Sequence, residues 1–237
     1  NLLGTLNILR AVAKRQPAGK VYFAATSEMF GNQSVALLDE SDPFYPISPY
    51  GIAKTAATQF CRMYREGGLF VCCGILFNHE SPRRGDGFVT RKITRALARI
   101  VQGFQSQLVL GNLDAIRDWG YAPEYVKAMW LMLQQSKSED FVIATGYSHS
   151  VAEFAETAFR RLGLDCKQYI KTNDTLYRPN EIYRLCGSAN KAQRLLGWEP
   201  KTDFGELVAI MVDSDLAELK QQPGGKVAFV DTTTTMV

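Results

Sequence analysis

The sequence predicts an α/β protein built on a mostly parallel sheet. Strand-like and helix-like segments alternate along the chain, and the strands read as near-continuous apolar runs, "LFVCCGILF" (69–77) above all, as strands covered on both faces do. The length agrees: 237 residues, 46% of them hydrophobic, suffice for one large domain or two small ones.

In chain order, Leu2, Leu6, Leu9 and Ala13 mark one helix face, and "KVYFAAT" follows as a strand. A Pro-rich loop leads into a helix from about Ser48 to Glu66, then into the buried strand at 69–77. "FVTRKITRALARIVQG" is an amphipathic helix ending at Gly103, "QLVLGN" a short strand, and "PEYVKAMWLMLQQ" a helix with Pro123 in its first turn. "FVIATG" is a further strand, and "SVAEFAETAFRRLG" carries a capping-box pattern, Ser150 with Glu153, before closing on Gly163. "SANKAQRLLG" and "FGELVAIMVDSDLAELKQQ" are the last helices, and the tail 223–237 is biased in composition and expected to be loose. No internal repeat is present.

A net charge of +3 gives no case for nucleic acid or an acidic membrane surface as a partner. No apolar run is long enough to span a membrane. The five cysteines are odd in number and lack metal-ligand spacing, so no metal site is expected. Cys72 and Cys73 lie in an apolar run and read as reduced core residues of an intracellular, cytoplasmic protein. The chain opens at Asn1 inside a helical pattern, which leaves the question of a targeting segment open.

Four stretches carry chemistry. "SPYGIAK" (48–54) sets Tyr50 four residues before Lys54, one above the other on a helix; alone, the spacing equally fits an amphipathic helix with a surface Lys. "AATSEMFG" (24–31) puts Thr26, Ser27 and Glu28 at a strand's carboxyl end, where open α/β sheets build their sites; it also reads as a turn opener. "ILFNHESPRRG" (75–85) ends a buried strand in Asn78, His79 and Glu80 and continues to Arg83 and Arg84: a solvated loop, or an anion site. "GNLDAIRDWGYAPEYVKAMW" (111–130) contains the Arg117-Asp118 pair, which alone reads as a plain surface ion pair.

Together with "FVTRKITRA" (88–96) and "RPNE" (178–181), these motifs stand in register with one family. The chain resembles the extended short-chain dehydrogenase/reductases, and among them the GDP-mannose 4,6-dehydratases, from about Asn1 to Gln222. The resemblance implies a Rossmann-like doubly wound sheet lacking its N-terminal units, with residues 1–78 as the later part of an NADP-binding domain. Residues 79–222 would form mainly a smaller nucleotide-sugar domain, with the strand near 141–146 returning to the Rossmann sheet. It implies NADP as cofactor, GDP-mannose as substrate, a place in GDP-fucose biosynthesis, and a homodimer or homotetramer through helices 2–15 and 48–66.

The roles follow residue by residue. Tyr50 takes the proton of the sugar 4-hydroxyl, which requires lowering a phenol pKa near 10 by about 3 units, roughly 4 kcal/mol. Lys54 supplies the positive charge and holds the nicotinamide ribose, and Thr26 binds the same oxygen as Tyr50. Glu28 removes the C5 proton and protonates the departing 6-hydroxyl, a carboxylate that the superfamily's epimerases lack and for which its simple reductases have no use. His79 and Arg84 match cofactor contacts, though a hydrogen-bonded structural His remains open for His79. Asn78, Lys92 and Arg117 match positions on the nucleotide diphosphate, and Arg178 and Glu181 match sugar-nucleotide contacts.

One departure stands out. The family's G-x-x-G-x-x-G pyrophosphate loop does not occur in these 237 residues, and about 100 residues, several βα units of about 30 each, have no counterpart here. The favoured expectation is a dehydratase whose sequence is incomplete. The rivals are a shortened, non-catalytic relative that binds a nucleotide sugar or pairs with a full-length subunit, and a dehydratase of another nucleotide sugar. The 237 residues alone are expected to hold NADP weakly and to show no turnover.

Overall fold

In the computed structural model, which describes residues 1–177 and 180–221, the helices and strands alternate. The order is α1 (Leu2–Arg15), β1 (Lys20–Ala24), α2 (Pro49–Glu66), β2 (Phe70–Leu76), β3 (Asn78–Glu80), α3 (Val89–Val101), β4 (Leu108–Leu110), β5 (Ile116–Arg117) and β6 (Trp119–Tyr121). There follow α4 (Ala122–Gln134), β7 (Asp140–Ile143), β8 (His149–Ser150), α5 (Val151–Arg160), β9 (Ile170–Thr172), α6 (Asn190–Leu196) and α7 (Phe204–Lys220). The chain forms two compact units. Among the described residues, one comprises 1–79, 115–150 and 180–203, and the other 80–114, 151–177 and 204–221. The expected loose tail, and Arg178 of "RPNE", lie outside the described residues.

The first unit is built on a parallel three-stranded sheet of order β1-β2-β7. Alternate residues of β2 serve opposite faces. Val71, Cys73, Ile75 and Phe77 pack with Leu9, Ala57, Cys61 and Met29, while Cys72 and Leu76 pack with Ala128, Met132, Leu196 and Trp198. Cover on both faces is why the strand is apolar throughout. Cys72 and Cys73 are fully buried free thiols, as the sequence suggests. Gly74 is required by close approach: a Cβ there would stand 2.5 Å from the Tyr22 hydroxyl, whose ring lies across the strand. Among the described residues β1 pairs only with β2, whereas the backbone N–H of Val142 on β7 donates to the Glu40 carboxylate at 2.6 Å.

Helix ends fall where local chemistry sets them. Ser48 caps α2 by accepting from the Gly51 N–H at 3.0 Å, with Pro49 at the first helical position. Gly103 (φ 75°), Gly163 (φ 71°) and Gly197 (φ 61°) take the left-handed conformation just beyond α3, α5 and α6. The turn that "AATSEMFG" suggests is a 3₁₀ turn at Ser27–Met29, whereas the sequence carries no signal for the two- and three-residue strands β3, β5, β6, β8 and β9.

The second unit packs α3, α5 and α7 together and carries the parallel pair β4–β9. Between α3 and α7, the Arg91 guanidinium meets Asp215 at 2.8 Å and Glu218 at 3.0 Å, with both Arg91 and Asp215 buried. No described helix is long and apolar enough to cross a membrane.

A charge cluster of the first unit forms at the start of β7. Arg62 and Arg65, both on α2, hydrogen-bond the two oxygens of Asp140, with Arg62 Nε at 2.7 Å. Burial pushes the Asp140 carboxyl up, but the hydrogen bond and charge of Arg65, followed by those of Arg62, hold it below the usual carboxylate range. A depressed folded value contributes stability above the unfolded value of about 3.9 that is lost as pH falls through the folded one. Asp140→Asn should therefore lower stability by about 2–3 kcal/mol near neutrality, since both arginines keep some solvent contact, and the difference should shrink at about pH 3. Urea midpoints of both proteins at the two pH values test this; an equal difference at both would show that the carboxylate charge is not what matters.

Candidate active site

The candidate catalytic residues meet at the carboxyl end of β1. The β1–β2 register sets Ala24 beside Gly74, and the Ala25 N–H donates to the Gly74 carbonyl at 2.9 Å, so the strand ends cleanly before Thr26. Thr26 takes the extended conformation of an N-cap, its Oγ1 accepting from the Glu28 N–H at 3.3 Å, and turns the chain into the Ser27–Met29 3₁₀ turn. Because it accepts there, its own hydroxyl proton stays available to donate.

Helix α2 brings the second half of the site. Tyr50 lies in its first turn, 42% exposed. Lys54 stands one turn further, with Nζ 5.7 Å from the Tyr50 ring centroid and 5.0 Å from that of Phe23. Lys54 Nζ donates to the Ala24 carbonyl at 2.7 Å, tying the helix to the strand end. Burial lowers its pKa from the ordinary value, opposed by charge on Cys61. The cap residue serves twice: Ser48 Oγ accepts from Gly51 and donates to Glu28 Oε2 at 3.1 Å. Thr26, Glu28, Tyr50 and Lys54 thus occupy one end of one strand–helix pair.

Gly51 makes the approach possible. A Cβ at this position would stand 2.9 Å from the Glu28 carbonyl oxygen and 3.1 Å from Pro46.

The remaining candidates divide between the units. In the first, His79 Nδ1 lies 2.9 Å from the Phe77 carbonyl and its ring stacks on Tyr125 at 5.0 Å. Asn78, beside it, is half-buried. Arg117 Nη2 pairs with Glu181 at 3.0 Å, joining two predicted ligand contacts that are 64 residues apart in sequence. The expected Arg117-Asp118 surface pair is not formed: Asp118 is fully buried and its partners lie elsewhere. Arg117 ends β5 and Asp118 follows it, its carboxylate taken up by the N–H groups of Thr145, Gly146 and Gly187. In the second unit, Arg84 pairs with Glu80 at 3.2 Å and lies over the Phe88 ring at 3.3 Å, while Lys92 is exposed on α3. Glu80 itself is buried and also accepts from the Thr90 hydroxyl at 2.7 Å. Among the described residues, no three His, Cys, Asp or Glu side chains could hold a metal ion together.

A family model described as GDP-mannose 4,6 dehydratase matches residues 1–211. The chain belongs to the GDP-mannose 4,6-dehydratase family. It is 50% identical over 224 residues to GDP-mannose 4,6 dehydratase 1 of Arabidopsis thaliana, an alignment covering 92% of this chain and 62% of the relative. It is 46% identical over 241 residues to the GDP-mannose 4,6 dehydratase of Homo sapiens, covering 93% and 65%. The chain therefore spans less than two thirds of the length of these GDP-mannose 4,6-dehydratases. The structure of RMD from Pseudomonas aeruginosa complexed with NADPH superposes with a TM-score of 0.83 at 24% identity, over 92% of this chain and 73% of that one. A dTDP-glucose 4,6-dehydratase from Bacillus anthracis in complex with NAD superposes at 0.82 and 22%, over 93% and 68%. At these identities the likeness is one of fold, and it is the α/β parallel-sheet fold that the sequence predicts.

Two residues escape a reading of motifs. Ser48 looks like a helix cap and nothing more, yet it also holds the Glu28 carboxylate. Asp118 looks like a charge partner of Arg117. The signal for Ser48 was its place directly before "PYG", a cap position whose side chain lies at the start of the helix.

The Gly51 contact yields a test of packing within this GDP-mannose 4,6-dehydratase family member. At an exposed helix position Gly→Ala stabilises by about 1 kcal/mol. Gly51→Ala should instead destabilise by about 1–3 kcal/mol, because the added methyl meets the Glu28 backbone. Denaturant melts decide the sign, and a gain in stability would show that α2 does not press on the Ser27–Met29 turn.

Proposed function

We propose that, at the full length of its relatives, this protein is a cytoplasmic NADP-dependent GDP-mannose 4,6-dehydratase, converting GDP-D-mannose to GDP-4-keto-6-deoxy-D-mannose with loss of water. The observation that carries this reading is the carboxylate of Glu28, hydrogen-bonded by the cap of the very helix that bears Tyr50 and Lys54. A Tyr–Lys pair alone suits any alcohol oxidation of this superfamily. A carboxylate held beside it adds the acid–base group that an elimination needs.

The residues present fit the nicotinamide-ribose half of NADP. Lys54 is half-buried at the strand end, and the Ala24 carbonyl takes one of its three N–H groups, leaving donors for a ribose hydroxyl. His79 and Arg84 are proposed as further contacts. When bound, NADP supplies a reversible two-electron oxidation of the sugar. The chain's own work is in protons. Tyr50 removes the proton from O4, aided by the positive charge one turn along the helix, and Thr26 donates to the same oxygen. A carbonyl at C4 acidifies the C5 proton, which Glu28 takes; the same carboxyl then protonates O6 as it departs as water. The C5–C6 double bond left behind would be closed by the hydride from C4, given back at C6, and by the proton that Tyr50 took from O4, placed at C5, so the sugar undergoes no net oxidation. Ser48, donating to Oε2, keeps the carboxylate turned toward the site.

Asn78, Lys92 and Arg117 are proposed to bind the diphosphate, Arg117 through its planar fork. Arg178 and Glu181 are proposed on the nucleotide, Glu181 being the counter-ion that a diphosphate would displace from Arg117.

Glu28→Gln in the full-length protein should cut formation of the 4-keto-6-deoxy product by about 100-fold or more. Incubation with GDP-mannose should still raise the absorbance of reduced cofactor, because the Tyr50 step is intact. Product formed at the normal rate would assign the elimination to another group.

We further propose that two copies pair through α1 and α2. Leu3 (74%) and Ile8 (58%) on α1, and Ile52 (56%) and Met63 (52%) on α2, are apolar and exposed on two helices that pack against each other. Sedimentation of the full-length protein at micromolar concentration should give a dimer or tetramer. A folded monomer there would remove the idea.

A further inference from the structure

The Arg117 guanidinium is aimed by a strand of only two residues, paired to the equally short β8 and bridged at Ile116 to Arg184. So little ladder cannot by itself fix a long side chain. The guanidinium itself donates to the Ile116 carbonyl at 2.9 Å and pairs with Glu181 at 3.0 Å, and a restraint on the strand comes from the next residue. Asp118 is fully buried, and its carboxylate accepts from the Thr145 N–H at 2.8 Å, the Thr145 hydroxyl at 2.7 Å, the Gly146 N–H at 3.0 Å and the Gly187 N–H at 3.2 Å. The Cys186 thiol adds a weak contact at 3.9 Å. These donors are neutral, and they come from two segments: the exit of β7, and the stretch that follows Glu181 after five residues. Gly187 can bring its N–H there because it has no side chain; a Cβ would stand 2.6 Å from both Ala144 and the Phe77 ring. One carboxylate thus ties the strand of Arg117 to the end of the parallel sheet and to the segment carrying Glu181.

We propose that Asp118 is the positioning residue of the diphosphate site: without touching the ligand, it sets the aim of the Arg117 guanidinium. The proposal rests on the assignment of Arg117 to the diphosphate above. Its mechanism is geometric. A buried carboxylate that gathers two main-chain segments leaves β5 little freedom to slide, so the fork one residue away is presented without a search. Asp118→Asn keeps the size but puts an NH₂ against N–H donors whichever way the amide turns, so β5 should loosen while the core stays filled.

The test uses the full-length protein titrated with GDP and with guanosine, which lacks the diphosphate, in the wild type, Arg117→Ala, Asp118→Asn and the double variant. Asp118→Asn should weaken GDP about tenfold, the effect of a charge-assisted hydrogen bond, and leave guanosine within about twofold. In the double variant, GDP should bind no more than about twofold weaker than in Arg117→Ala, because two residues acting through one fork do not add. Equal losses for both ligands, or losses that multiply in the double variant, would reduce Asp118 to general structural support and overturn the proposal. Unchanged GDP affinity in Arg117→Ala would instead overturn the diphosphate assignment itself. Should Asp118→Asn fail to fold, Thr145→Val removes the hydroxyl that donates to Asp118, and with it an acceptor of the Tyr147 N–H at 3.2 Å, at nearly constant shape. It should weaken GDP about threefold with guanosine unchanged, and equal GDP affinity in that variant would sink the inference as well.

Discussion

The site depends on the hydrogen bond from Lys54 to the Ala24 carbonyl. A strand's carboxyl end carries a carbonyl with no ladder partner beyond it, free to accept from a neighbouring side chain. Here a side chain from the following helix satisfies it at 2.7 Å. That contact fixes the rotation of α2 about its axis, since Lys54 must face the strand end. Residues one turn back face the same way, which delivers Tyr50 to the place where Thr26 and Glu28 leave the strand. The rest of the arrangement follows from the same closeness. Only glycine fits at position 51, and the cap at Ser48 comes within reach of Glu28.

How much of this was legible in the sequence follows from the distance over which each relation acts. The Tyr50–Lys54 stacking is local, fixed by helical periodicity, and could be read from spacing. So could the strand at 69–77, because cover on both faces leaves a continuous apolar signature. The Glu28–Ser48 contact spans twenty residues and depends on how the loop at 31–47 returns, for which no periodicity exists. Arg117 with Glu181, 64 residues apart, could be paired only through the register of motifs that resemble a family. Asp118 was misjudged for a different reason. Adjacent opposite charges suggest a pair, but Asp118 follows the end of β5 with its carboxylate taken up by main-chain N–H groups, and a strand of two residues leaves no alternation to announce that it is a strand.

The buried and half-buried carboxylates of the first unit show how one side-chain type is assigned to different tasks. Asp140 is fixed by two guanidinium groups, and their charge keeps it ionised. Asp118 is fixed by neutral N–H and O–H donors, so it organises backbone without attracting a counter-ion; burial pushes its carboxyl up, against the hydrogen bonds of Thr145, Gly187 and Gly146. Neither is suited to pass protons. The first is bound to permanent cations, and the second is sealed from any ligand.

Glu28 differs in the one respect that proton transfer requires. Its side-chain partner is a hydroxyl, and a serine hydroxyl can donate to a carboxylate and, by turning about its C–O bond, accept from a carboxylic acid. The contact therefore holds the group in either protonation state, where an arginine would hold only one. Ser48 can play this part because its second obligation, the N–H of Gly51, uses a lone pair and leaves the hydroxyl proton unassigned. The cap of an ordinary helix is thus also what lets a carboxylate beside a tyrosine both take a proton and return it.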